Sequence, residues 1–239
     1  IARSRSVWGP FESCPRNPIL SHRDDIGSPF QAVGHADITS DEAGNWWMVF
    51  HAIRPTNAQL HHIGRETMLA PVEWDEEGWP LVNGGRSVTQ FMTGPGTGTQ
   101  KREKLWQDSF DAPGFDPRWT WLRNPDMEHY SLSSRGLTLR GSETTLDDID
   151  TSTFLGIRQE QWNIRYETRV QLSGESGCAG ITIFHTAEHH YDLCTARQGS
   201  GTALWLRRRV ADILVESPWV LAEDTDSVIL RIEGDRNLY

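Results

Sequence analysis

Several residues in this sequence could do chemistry, and two of them each follow a glycine. His35 stands in Gly34-His35-Ala36-Asp37, and Arg65 stands in Gly64-Arg65-Glu66-Thr67. Glycine lets the backbone bend sharply, and so aim the side chain that comes next. A guanidinium offers a fixed fork of donors that can grip adjacent oxygens of a polyol. An imidazole can fill one position around a metal ion, although calcium prefers oxygen. Carboxylates are close by: Asp37, Glu66 and Glu73. Read locally, these three are turn or strand-end acids that make local hydrogen bonds. Farther on, His185, His189 and His190 crowd into six residues, and Arg207-Arg208-Arg209 forms a basic run. The histidines read as a solvated hairpin tip and the arginines as a solvated strand end.

Composition narrows the partners. A formal net charge of -10 argues against a nucleic-acid backbone, whose binders carry a basic face. Mean hydropathy is -0.54, and no run of about eighteen apolar residues could span a bilayer. The eleven tryptophans serve either a core or the flat faces on which sugar rings stack. Cys14, Cys178 and Cys194 have neither metal-ligand spacing nor a disulfide framework, though Cys178 and Cys194 could bridge neighbouring strands. The chain opens on Ile1 rather than Met, so it is expected to be a piece of a longer protein. Any targeting signal would lie upstream, and the compartment is not legible.

The elements that must position these residues are strands. Asn45-Trp46-Trp47-Met48-Val49-Phe50 is a continuous apolar run, as in a strand covered on both faces. Met68 to Trp74 and Trp79 to Val82 follow, separated by acidic, glycine-containing turns. From Gly84 to Lys104 the text loses periodicity, and Thr93-Gly94-Pro95-Gly96-Thr97-Gly98-Thr99 reads as a linker. Residues 1–83 and 105–239 are thus expected to be separate β modules joined by 84–104. In the second module, Trp162 to Leu172 alternates strictly, giving one dry and one wet face. Leu137-Arg140, Ile181-Phe184, Leu204-Arg207 and Val228-Glu233 repeat the pattern, which points to a sandwich.

Taken in order, these motifs resemble glycoside hydrolase family 43, which contains β-xylosidases and α-L-arabinofuranosidases. Ala2-Arg3-Ser4-Arg5-Ser6-Val7-Trp8-Gly9-Pro10-Phe11, Asn17-Pro18-Ile19-Leu20 and the motifs of His35 and Arg65 carry the first half of the resemblance. Phe154-Leu155-Gly156-Ile157-Arg158-Gln159, Gly180 to Thr186 and Tyr191-Asp192-Leu193 carry the second. The resemblance implies an all-β chain: the last blades of a five-bladed β-propeller, then a concanavalin A-like β-sandwich. It implies an inverting hydrolase of xylose- or arabinose-containing oligosaccharides, whose catalytic carboxylates lie upstream, so that no catalytic residue is assigned in this chain. It implies that Arg65 reaches the sugar in the innermost subsite, and that His35 stands near a bound calcium ion. The alternative is a non-catalytic carbohydrate-binding protein in which the sandwich is the working part.

Overall fold

The chain opens on a short antiparallel ladder, β1 (Ala2–Arg3) with β2 (Glu12–Ser13). Four longer strands follow as a meander whose spatial order is the chain order: β3 (Gln31–Ser40), β4 (Trp46–Ile53), β5 (Arg65–Trp74) and β6 (Pro80–Val82). Two turns of one design set its first and last hairpins. Asp41 Oδ1 accepts from the backbone N–H of Ala43 at 3.0 Å and of Asn45 at 2.9 Å. Asp75 Oδ1 accepts likewise from Glu77 at 3.0 Å and Trp79 at 2.8 Å. Gly44 and Gly78 take φ of 82° and 75°, a left-handed backbone that glycine adopts without steric cost. Donation by the Asn45 side chain to Asp41, and by the Trp79 backbone to Asp75, holds both carboxyls below their ordinary range.

The computed structural model describes all residues except 57–59, 97–104, 175 and 237. It divides into two compact units, Ile1–Arg102 and Glu103–Tyr239. In the first unit, Met48, Phe50 and Ala52 face the same way as Ala70 and Val72, as the register of β4 on β5 requires. With Phe30, Val82 and Val88 they make its core. The opposite face of β4 is only partly covered: Val49 and its partner Leu69 are each 37% exposed. The apolar run in β4 is therefore dry on one side and half open on the other.

Part of the expected linker belongs to this unit. Val88 is 3% exposed in the core, and its backbone N–H donates to His22 Nε2 at 3.0 Å. The other ring nitrogen of His22 donates to the Phe30 carbonyl at 2.7 Å, so one buried imidazole ties three segments together. A stretch without periodicity can still bury one apolar residue, and Val88 is such a residue. The Thr97-Gly98-Thr99 end of the expected linker lies outside the described residues.

The second unit begins its regular structure with the hairpin β7 (Tyr130–Ser133) and β8 (Gly136–Leu139). β9 (Ile164–Gln171), β10 (Ala179–Thr186), β11 (His189–Gln198), β12 (Gly201–Val210), β13 (Ile213–Glu216), β14 (Val220–Ala222) and β15 (Ser227–Gly234) complete it. β10 to β13 form one antiparallel sheet in chain order, with β14 also paired to β12. β9 pairs with β15, and both approach β10. Alternation along β9 holds for most positions: Ile164, Tyr166 and Val170 are half-buried, while Arg165, Glu167, Arg169 and Gln171 are exposed. Its wet face carries cross-strand ion pairs, Arg165 with Glu233 at 2.8 Å and Glu167 with Arg231 at 2.6 Å. All three cysteines are free thiols, so the Cys178–Cys194 bridge is not formed.

Candidate functional site

The first unit gathers polar side chains on the half-open face of its meander. β3 shifts register between Gln31 and Gly34, and again between Gly34 and Asp37. Bulges of this kind re-aim side chains. The left-handed residues here are Ala32 (φ 50°) and His35 itself (φ 49°), not Gly34. The expected glycine-driven bend before His35 is thus carried by the histidine. Before Arg65 it is where the sequence places it, with Gly64 at φ 84°.

The bulge brings the His35 ring to 5.9 Å from that of His51, centroid to centroid. A shallow cavity of about 210 Å³ opens there, lined by His35, Asp37, Val49, Phe50, His51 and Thr67. His51 lies opposite Thr67, and Ile53 lies opposite Arg65. Arg65 therefore projects from the same sheet face as Thr67, one alternation farther along β5. It is exposed and has no ion pair among the described residues, in contrast to Arg54, which grips Glu66 with two hydrogen bonds of 2.6 and 2.8 Å. His51 Nδ1 is buried with no hydrogen-bond partner. A buried polar atom left unpaired is costly, and the residue that carries it lines the cavity.

The three carboxylates do not converge. Asp37 lines the cavity, whereas Glu66 lies opposite Ala52 on the other face and is held by Arg54. Glu73 shares the face of Asp37 but lies four residues beyond Leu69, about 13 Å along the strand. An acid and base for hydrolysis with inversion stand roughly 6.5–9.5 Å apart. This face can recognise a polar ligand but cannot by itself cleave one. Among the described residues no group of three or more His, Cys, Asp or Glu could hold a metal ion. His35 offers one ligand position to a cation, and calcium needs six to eight oxygens, most of which this cavity does not supply.

A second polar cluster occupies the second unit, and here the structure overturns the solvated-tip expectation. The turn falls at Ala187 and Glu188, so His185 and His189 are exposed while His190 is 2% exposed inside β11. His190 Nδ1 lies 2.8 Å from Asp192 Oδ2, and Nε2 lies 3.0 Å from Asp147 Oδ1. Thr182 donates to Asp192 at 2.7 Å. Arg207 bonds Asp147, with Asp192 at 3.5 Å and Glu216 at 3.7 Å. It is thus an ion-paired residue rather than a solvated strand end. Burial would push the Asp147 carboxyl up, but Arg207 and His190 together outweigh it and hold it below the usual range. Burial, with the Asp192 charge next, pushes the Cys194 thiol up to about 12, so it is an inert thiol.

Both units match families of known proteins. Residues 1–80 fit the model of glycosyl hydrolases family 43, and residues 107–239 fit that of the β-xylosidase C-terminal concanavalin A-like domain. The chain belongs to glycosyl hydrolase family 43. A non-reducing-end α-L-arabinofuranosidase of Bacteroides ovatus is 36% identical over the whole chain, which covers 46% of that relative. A xylosidase/arabinosidase of Butyrivibrio fibrisolvens is 32% identical over 83% of the chain and 40% of the relative. Among solved structures, the GH43B protein of the Bacteroides ovatus xyloglucan locus superposes with a TM-score of 0.88 at 32% identity. It is covered to 48%, and this chain to 98%. A xylan β-1,4-xylosidase of Bacillus halodurans superposes equally well, at 26% identity over 98% of this chain and 47% of its own. This family 43 chain spans about half the length of the curated relatives it matches.

Of the two site residues singled out from sequence, His35 lines the cavity and Arg65 stands beside it on one face of the meander. His51 and Thr67 were not singled out. Their signal is register: His51 lies opposite both Gly34 and Thr67. In the concanavalin A-like domain, nothing local marks Asp147 as the partner of His190, because 43 residues separate them.

Proposed function

We propose that this chain is the C-terminal part of an inverting family 43 glycoside hydrolase that releases xylose or arabinose from xylo- or arabino-oligosaccharides. In this reading the meander β3–β6 is one blade of a five-bladed propeller. Arg65 donates to hydroxyls of the terminal sugar through its planar fork. His35 gives one position to a calcium ion, with water and residues outside this chain completing the shell. The acid and base are residues outside this chain.

The observation that supports the reading best is the exposed Arg65, without an ion pair among the described residues, one step from the His35–His51 cavity, in a chain matching both family modules in order. The names of the relatives favour pentose substrates. The test compares the intact enzyme with this chain on aryl β-xylosides and aryl α-L-arabinofuranosides. The intact enzyme is expected to hydrolyse one or both, its first product carrying the inverted anomeric configuration. The chain alone is expected to be inert. Turnover by the purified chain would refute the placement of the acid and base, and retention of configuration would refute the inverting mechanism. An intact protein that binds these sugars without turnover would instead be a carbohydrate-binding protein.

A further inference from the structure

The second unit contains a cavity that the proposed activity does not use. It measures about 300 Å³ and lies between the segments 124–130 and 142–153, both within that unit. Small-molecule sites begin at about this size. The walls are held before any ligand arrives. Arg123 bonds the Asp150 carbonyl across the two segments, and Asp147 fastens the second segment to His190 and Arg207. Ser152, on that second wall, is 4% exposed, and its Oγ is buried without a hydrogen-bond partner.

The donor and acceptor pattern says what would fit. The Thr153 hydroxyl donates to the Arg140 carbonyl at 2.8 Å, so it accepts from His129 Nδ1 at 3.1 Å. In the neutral ring this leaves Nε2 as an acceptor. Asp126 Oδ2 lies 4.0 Å from that Nε2, too far for a mutual hydrogen bond. Two acceptors side by side match the two hydroxyls of a vicinal diol, each donating one proton. Asn124 offers an amide and Ser152 an unspent hydroxyl to further oxygens of the same ligand. Among the described residues no Lys or Arg lines the cavity, which disfavours an anion, and Asp126 is its one carboxylate, which disfavours a metal ion.

We infer that this cavity binds a neutral polyol carrying a vicinal diol, of monosaccharide size, as a second sugar site separate from the His35–Arg65 face. The inference rests on the proposed function only for the choice of pentoses as probes. The test titrates D-xylose, L-arabinose and 1,3-propanediol into this chain, read by NMR shifts at His129 and Ser152. Saturable binding of at least one pentose is expected, with none by 1,3-propanediol, which lacks adjacent hydroxyls. Ser152→Ala should weaken binding about three- to tenfold, the effect of one neutral hydrogen bond. Asp126→Asn keeps the acceptor that caps Glu128, yet should weaken binding by about tenfold or more through loss of charge. The melting temperature of Ser152→Ala should not fall, since the hydroxyl it removes is unpaired. Failure of both pentoses to bind overturns the proposal, as does equal binding of 1,3-propanediol. Binding that both variants leave unaltered places the sugar elsewhere and overturns it too. Hydrolysis by the intact enzyme is assayed in parallel: turnover without pentose binding here removes only the second site, and binding here without turnover removes only the proposed hydrolase.

Discussion

The two histidine clusters of this chain use the same side chains to different ends. On the first unit His35, His51, Asp37 and Arg65 share a half-open face, one buried ring nitrogen lacks a partner, and the guanidinium has no ion pair among the described residues. In the second unit His190, Asp147, Asp192 and Arg207 close on one another, with a carboxylate at each ring nitrogen. A closed set of charges holds structure together and has no capacity left for a ligand. An open set contributes little to stability and keeps its capacity for one. Completeness of pairing therefore separates the two roles better than residue type does.

The sharpest way to break this comparison is to open the closed set. Arg207→Met should destabilise the second unit by about 3–5 kcal/mol, because it leaves two carboxylates without their cation. Urea unfolding followed by tryptophan fluorescence measures this, and a loss below about 1 kcal/mol would show that the cluster is not structural. Arg65→Ala should do the reverse. In the intact enzyme kcat/KM should fall by about 10–100-fold, as expected for one lost charge-assisted hydrogen bond, with the melting temperature unmoved. Arg65→Lys should recover only part of the loss, since an ammonium lacks the fork. A fall in activity explained wholly by unfolding would make Arg65 structural.

Acid should weaken the closed set. The Asp147 carboxyl is held below its ordinary 3.8. Between that lowered value and 3.8 the unfolded chain binds more protons than the native one. The stability this group contributes is therefore present above the ordinary value and lost as pH falls through the interval. Asp147→Asn should flatten this part of the acid limb in thermal melts, and an unchanged limb would remove Asp147 from the account. The smallest effect is expected at His51, whose Nδ1 is buried and unpaired. His51→Leu should be neutral or stabilising by up to about 1 kcal/mol, whereas a clear loss in chemical denaturation would reveal a partner for the ring.

Much of the fold was legible. Apolar runs and period-two alternation located β4, β5, β9, β10, β12 and β15, because alternation is a local property of a pleated strand. Acidic turns ending in glycine marked two of the three hairpins of the meander, since their hydrogen bonds span at most four residues. His35 and Arg65 could be picked out for the same reason, each beside a glycine in a short motif. The rest depended on residues distant in sequence. That His35 itself takes the left-handed bend, and that His51 and Thr67 stand near it, follows from the register between β3, β4 and β5. That Val88 belongs to the first core was decided by His22, 66 residues earlier. Alternation puts His190 and Asp192 on one face of β11, but whether that face is wet or dry was decided by Asp147. Sequence determines which side chains share a face; only the folded chain determines what covers it, because the covering residues are distant along the chain.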